Sequence, residues 1–511
     1  MLESPFADRL YTNYVPLDPE IEELRRLIAG PLAEISRFDE KIAHLQSMID
    51  DLRRERQVFA TFVDAHRALL SGTRRLPQEL LQEIFTYCLP SNRTERSSTT
   101  SEAPMLLGRI CSSWRRIVMS TPQLWSSIHV DVSEPPSLVL RTSKSWASVV
   151  QRVRMVQRSM ELSGTCSLSI SFVYSGDKIT QTVVSAATLL FQFLYESSQR
   201  WETLDLRLPP SLFVQFFATL SKMDVPLLKS LCLKLENPYT DAHSGAMSIL
   251  ATAPIFRVPS LRSLSISDLD ISLLVAGWNH LNHLDFNRLD GSDRFSTAPI
   301  TVPGAIQILS LCPNLISCRM HKVNALGAQT HFPAISLPFL RSLDITEVSR
   351  ERTSDLTAFF DALKVPGLRE FKFTRHALGG AVVPFKSIIS PEIECIELSL
   401  VTLATVVECL PLLPRLKRIS VRNPLYHPKK PLGDKRLRDD LLTLLTPSSD
   451  VGECLCPHLE EIKFEFGNHS AVTDHAIRVF LTARTSHPAI ARLKKATFSF
   501  SDSATPISWS H

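Results

Sequence analysis

Pro226-Leu227-Leu228-Lys229-Ser230-Leu231-Cys232-Leu233 and Pro259-Ser260-Leu261-Arg262-Ser263-Leu264-Ser265-Ile266 are two copies of one phrase. Each reads proline, one variable residue, an apolar anchor, two variable residues, then two apolar anchors separated by a single position. The anchors return at Leu281-Leu284-Phe286, Leu315-Cys318-Met320, Leu340-Leu343-Ile345, Leu368-Phe371-Phe373, Ile393-Ile396-Leu398, Leu416-Ile419-Val421 and Leu459-Ile462-Phe464. Weaker copies stand at Trp201-Leu204-Leu206 and Leu493-Ala496-Phe498. Alternation of the last two anchors is the period of a strand with one buried face. Recurrence at intervals of roughly 20 to 43 residues marks a chain built of repeated units. Helical patterns fill the intervals, most clearly over 212–223, 306–311, 356–365, 406–413, 441–445 and 477–483.

A short strand followed by a helix in each unit resembles a leucine-rich repeat, although the asparagine usual after the strand is absent. The expected fold class is therefore α/β over 131–511, a leucine-rich-repeat-like solenoid of short parallel strands and helices. Stacking buries an apolar spine that no single unit could bury alone, and an inward Leu or Ile left in water would forgo roughly 1.5 to 3 kcal/mol. A doubly wound α/β domain also alternates strands and helices, but its strands are apolar on both faces. Here the outward positions carry charge: Asp205, Arg207, Lys234, Asp285, Asn287, Arg319, His321, Asp344, Lys372, Glu397, Arg422, Lys463 and Glu465. Their mixed signs suit a protein partner, and Arg207, Lys234, Asp285, Asn287, Arg319, His321, Asp344, Lys372, Glu397, Arg422 and Lys463 are the candidate partner-binding face.

The N-terminal part has a different period. After a proline-punctuated tail (1–19, expected flexible), Ile21, Ile28, Ile35, Ile42 and Ile49 keep one position of a heptad, and Leu24, Phe38, Leu45, Leu52 and Phe59 keep another. Such a register predicts a coiled-coil-type helix over 20–71. Gly30-Pro31 predicts a kink, or a short first helix and a longer one starting at Pro31, because an interior proline costs about 3 kcal/mol. In a parallel homodimer Glu34 would face Asp39 and Lys41 would face Gln46, so flanking charges do not select that pairing. Self-association, another coiled-coil partner and packing on the same chain all stay open.

Between helix and repeats, Leu76-Pro77-Gln78-Glu79-Leu80-Leu81-Gln82-Glu83-Ile84-Phe85 opens an amphipathic helix, with Leu80, Leu81, Ile84, Phe85 and Leu89 on one broad stripe. Ile110-Cys111-Ser112-Ser113-Trp114-Arg115-Arg116 and Pro122-Gln123-Leu124-Trp125 follow. The second helix is expected over 105–119, with Leu107, Ile110, Cys111, Trp114 and Val118 on one face. This all-α segment, 72–130, resembles an F-box, the module by which substrate receptors dock on the Skp-type adaptor of cullin-RING ubiquitin ligases. The resemblance implies that Leu76, Pro77, Leu80, Leu81, Ile84, Phe85, Ile110 and Trp114 touch the adaptor or support the surface that does. A Ser/Thr-rich insertion, 90–104, departs from the family's tighter connection; its composition cannot bury enough surface to offset ordering, so it is expected to be disordered.

Composition narrows the chemistry. The 511 residues carry a net charge of +4, which gives no global reason for nucleic acid or an anionic membrane. Glycine, at 16 residues, is scarce for phosphate-cradling loops, and the nucleotide, zinc-protease and serine-hydrolase signatures are absent. Ten cysteines lack metal-ligand spacing, Cys454 and Cys456 included, and are expected as small core hydrophobes. Asp474-His475 opens a helix, where aspartate caps. A basic loop, 423–436, with Lys429, Lys430, Lys435 and Arg436, is expected as a solvated insertion, since only Tyr426 could stack on a base. No cofactor, metal or membrane span is expected. The chain reads as an intracellular protein of cytoplasm, nucleus or both, a non-catalytic substrate receptor of a Skp-cullin-F-box ligase. The rival readings are a coiled-coil and repeat scaffold without a ligase role and, more remotely, an enzyme of unknown class.

Overall fold

The computed structural model describes residues 4–90, 102–131, 144–174, 180–220, 225–236, 253–267, 277–286, 300–324, 331–349, 356–377, 387–401, 403–422, 441–447, 455–466, 474–487, 490–500 and 507–510. Asn287, residues 91–101 of the insertion and the basic loop 423–436 lie outside them. The chain divides into two compact units, Met1–Glu83 and Ile84–His511.

The first unit is dominated by α1 (Asp18–Leu69). Glu20 anchors its start, accepting from the Leu17 backbone N–H at 2.8 Å and from the Tyr14 hydroxyl at 2.8 Å, and pairing with Arg9 at 2.7 Å. These contacts tie the segment expected as a loose tail to the first helical turn. α1 runs without interruption through Gly30-Pro31 as one helix of 52 residues, about 78 Å long, so of the two expectations there, a kink or a division, the division into two helices does not occur. Proline removes a single donor from this long cooperative ladder. No residue of α1 is buried.

α2 (Gln78–Tyr87) contains the boundary between units. In the second unit, the helix expected over 105–119 is broken into α3 (Leu107–Ile110) and α4 (Ser112–Met119). Cys111 between them is extended (φ −155°, ψ 170°), and its Sγ accepts from the Trp114 N–H at 3.4 Å. Cys111 therefore caps a new helix instead of continuing the old one. A 3-10 turn, Pro122–Trp125, buries Leu124 and Trp125 and leads directly into the sheet. The segment after α2 shares a compact unit with the strands.

The strands are β1 (Ser127–Asp131), β2 (Leu168–Val173), β3 (Trp201–Leu208), β4 (Ser230–Leu235), β5 (Ser263–Ser267), β6 (His283–Phe286), β7 (Ile300–Thr301), β8 (Ser317–Asn324) and β9 (Ile335–Ser336). They continue as β10 (Ser342–Ser349), β11 (Leu363–Lys364), β12 (Glu370–Ala377), β13 (Cys395–Ser399), β14 (Arg418–Arg422), β15 (Glu461–Phe466), β16 (Lys495–Phe500) and β17 (Ile507–Ser510). One sheet orders them β1-β2-β3-β4-β5-β6-β8-β10-β12-β13-β14-β15-β16-β17, with β7 beside β8, while β9 and β11 form a separate pair. Pairing is parallel until β17, which returns antiparallel to β16. Neighbours in space are neighbours in sequence, without the reversal of order that a doubly wound sheet has. This mostly parallel sheet with intervening helices is consistent with a repeat array.

Register turns the repeated phrase into rows. Leu204, Leu231, Leu264, Leu284, Cys318 and Leu343 align across β3 to β10, and Leu206, Leu233, Ile266, Phe286, Met320 and Ile345 form the parallel row two positions on. All twelve are buried. The first anchors, such as Leu228, Leu261 and Leu340, are buried behind them. Between strands lie α5 (Lys144–Leu162), α6 (Gln181–Tyr195), α7 (Pro210–Leu220), α8 (Val302–Ser310), α9 (Thr357–Ala362), α10 (Leu403–Cys409) and α11 (Asp474–Ser486). Arg484 on α11 is wholly buried and donates to the carbonyls of Leu445, Cys456 and Leu455 at 2.7, 2.9 and 2.8 Å, so its charge is compensated by main-chain dipoles. β1, β2 and α5 have no counterpart among the repeat phrases recognised from sequence, although Leu168-Ser169-Ile170-Ser171-Phe172 alternates without fault.

Candidate functional site

Two surfaces carry the residues singled out by sequence. On α2 the apolar stripe splits. Leu81 and Phe85 are 7% and 1% exposed, whereas Leu80 and Ile84, one turn apart on another side of the helix, are 46% and 44% exposed. Pro77 precedes the helix and its carbonyl accepts from the Leu81 N–H at 3.2 Å, while Leu76 is half-buried. At 100° per residue Leu81 and Phe85 lie on one side of the broad apolar stripe and Leu80 and Ile84 on the other; the first pair is buried and the second remains on the surface.

α3 and α4 are held together by Arg115, whose Nε donates to the Gly108 carbonyl at 2.9 Å. Phe85 meets Trp114 with ring centroids 4.8 Å apart. Trp125 donates through Nε1 to the Val118 carbonyl at 2.8 Å and fixes the end of α4. The break at Cys111 also overturns the single face expected for this segment. Leu107 and Val118 are buried, Trp114 is half-buried, and Ile110 and Cys111 are exposed, Ile110 at 57%. The helical phase is reset at the cap, so positions on either side no longer share a stripe.

The second surface is the outward row of the sheet. Asp285, Arg319, Asp344, Lys372, Glu397, Ser420 and Lys463 are register partners from β6 to β15. Sign alternates along the charged run. Arg319 bonds Asp285 at 2.9 Å and Asp344 at 3.3 Å; Lys372 bonds Glu397 at 2.9 Å, and Glu397 also takes Arg422 at 2.7 Å. Lys463 pairs with Glu465 at 2.6 Å. The hydrogen bond to Glu397 holds the Lys372 ammonium above its usual range. His321 Nδ1 lies 2.8 Å from Thr346 Oγ1. Arg207 and Lys234 are register neighbours, each compensated from its own strand segment by Asp205 at 3.5 Å and Glu236 at 3.4 Å. Lys234 is 9% exposed, and its ammonium pairs with Glu236, which is half-buried.

Some features were not anticipated from sequence. Glu347 and Arg375, register partners on β10 and β12, form a buried ion pair at 3.1 Å. A cleft of about 550 Å³ at the N-terminal edge of the neighbouring strands is lined by Asn282, Asn314, Phe339, Arg341, Arg369 and Glu392 among others. Arg341 and Arg369 follow the first anchor of their phrases, as Arg262 does, and that recurrence was the available signal. Neither place combines a nucleophile with a base.

Among the described residues no group of three His, Cys, Asp or Glu could hold a metal, and no helix is long and apolar enough to cross a membrane. Cys312, Cys318, Cys409 and Cys456 are buried as expected for small hydrophobes, while Cys88 and Cys111 are exposed. Burial pushes the Cys312 and Cys409 thiols up to about 12, which keeps them neutral and unreactive.

No family model matches the sequence, and no curated protein does. Among solved structures, a chain from the crystal structure of the Rad7 and Elc1 complex in yeast matches 71% of this chain and 93% of its own length, at 12% identity and a TM-score of 0.31, a weak likeness.

Proposed function

We propose that this chain is a substrate receptor of a Skp-cullin-F-box ubiquitin ligase, acting in cytoplasm, nucleus or both. In this reading α2 and its neighbours dock the Skp-type adaptor, and 131–511 is a leucine-rich-repeat-like solenoid whose outward face holds a protein substrate. Catalysis is proximity, which raises the effective concentration of the substrate's lysines near the ubiquitin-charged enzyme. The observation that carries the proposal is the divided stripe of α2. Leu80 and Ile84 stay in solvent beside Leu81 and Phe85, which are packed, and an exposed apolar pair on a short helix is the pattern of a helix that completes its burial on a partner. Ile110, also exposed, belongs to the same motif.

The test is capture of the full chain by a purified Skp-type adaptor, comparing wild type with Leu80→Ala/Ile84→Ala and with Leu76→Ala/Pro77→Ala. Loss of binding with unchanged thermal unfolding supports the reading. Undiminished binding by both variants, or no binding by wild type, overturns it and leaves the scaffold reading.

A further inference from the structure

The heptad residues of α1 from Ile28 to Phe59 are exposed, with Ile42, Leu45, Ile49 and Leu52 between 47% and 62% exposed. A seam of this kind is covered by another helix. Within α1, the ion pairs join Arg25 to Glu22, Arg37 to Glu34, Arg53 to Asp50 and Arg54 to Asp51, each three residues apart. Asp39, Lys41 and Glu55 take part in none of these.

We infer that α1 pairs with α1 of a second copy of this chain as an antiparallel two-helix coiled coil centred at Ser47. In antiparallel coils each seam position faces the other seam position of the partner, and flanking positions face their own kind. Centred at Ser47, Leu45 packs on Ile49 of the second copy, Ile42 on Leu52 and Ile35 on Phe59. Lys41 then lies beside Glu55 of the second copy and Asp39 beside Arg53, and symmetry doubles both attractions. Arg56, which breaks the apolar seam, faces Phe38, whose ring accepts a guanidinium.

Other arrangements do worse. The parallel dimer sets Arg56 against its own copy in the seam and Glu34 against Asp39. An antiparallel register one step away in either direction leaves no opposite-charge pair, and one of the two brings Glu34 beside Glu55. The like-charged contact in the chosen register, Arg25 with Arg67, falls in its outermost layer, where Arg25 already holds Glu22 at 2.7 Å. The C-terminal ends of the two helices, where each chain passes on toward α2, then stand about 65 Å apart at 1.5 Å per residue. The inference uses α1 alone and is independent of adaptor docking.

Sedimentation equilibrium of the full chain tests it. Wild type should sediment at twice 57.3 kDa at micromolar concentration. Lys41→Glu should raise the dimer dissociation constant about tenfold, as two attractions become repulsions, and Lys41→Glu/Glu55→Lys should restore it. That rescue is specific to this register, since residues 41 and 55 meet neither within one helix nor in a parallel pair. Oxidising a mixture of Leu45→Cys and Ile49→Cys chains should give a disulfide between positions 45 and 49 in a peptide digest. A monomeric wild type, a 45-to-45 link, or a double variant no tighter than Lys41→Glu overturns the inference.

Discussion

Leu231 on β4 is wholly buried and Leu80 on α2 is 46% exposed, although both stand in strong apolar periodicities. The difference lies in what each pattern has available to cover it. Every strand of the sheet has a neighbour in register supplied by the next stretch of the same chain. α2 packs Leu81 and Phe85 and has a second apolar side left over, and α1 has an entire seam with no buried residue. Periodicity therefore tells that a face will be covered; it is silent on whether the cover comes from the same chain.

The contrast can be broken by substitutions on each side. The largest effect is expected at the buried pair inside the sheet. Arg375→Ala should lower unfolding free energy by about 3 to 5 kcal/mol by removing the guanidinium that compensates the buried Glu347 carboxylate, whereas Arg375→Met/Glu347→Met should recover most of the loss, measured by urea unfolding. Next, Leu343→Ala, which opens a cavity in the apolar row, should cost about 2 to 5 kcal/mol in the same measurement. On α2, Ile84→Asp should leave unfolding within about 0.5 kcal/mol of wild type and weaken adaptor binding about thirtyfold by calorimetry, the size of an interface hot spot. If Ile84→Asp unfolds the protein instead, the face is structural and the comparison fails. The smallest effect belongs to the outward row. Arg422→Ala, which removes one exposed partner of Glu397, should change stability by less than about 1 kcal/mol. Thiol mapping sharpens the same division: Cys88 and Cys111 should alkylate in the native protein well before Cys312 and Cys409.

Much of this was legible in the residues. The phrases from Trp201 to Phe498 became β3 to β6, β8, β10 and β12 to β16 in chain order, and the anchors became their buried rows, while the two-residue strands β7, β9 and β11 belong to no phrase. The helix of 306–311 starts earlier, at Val302, where Thr301 Oγ1 caps it by accepting from Gly304 N–H at 3.3 Å. The helix of 356–365 is shorter, because Leu363–Lys364 leaves it to pair with β9. The break at Cys111 was not legible, since a cysteine is a rare cap and its neighbours continue a helical pattern. Nor was the pairing of charges along the outward row, because Arg319 finds Asp285 and Asp344 through strand register rather than through spacing in sequence.

Local order, then, was settled by the sequence itself: which residues alternate, which recur every seven, and which face of each strand is apolar. These follow from the geometry of a single element and need no neighbour. Tertiary structure alone decided which half of the α2 stripe is packed, that Lys234 is covered, and that Glu347 meets Arg375 in the interior. Each depends on residues far apart in the chain being brought within bonding distance, and sequence spacing carries no record of that distance.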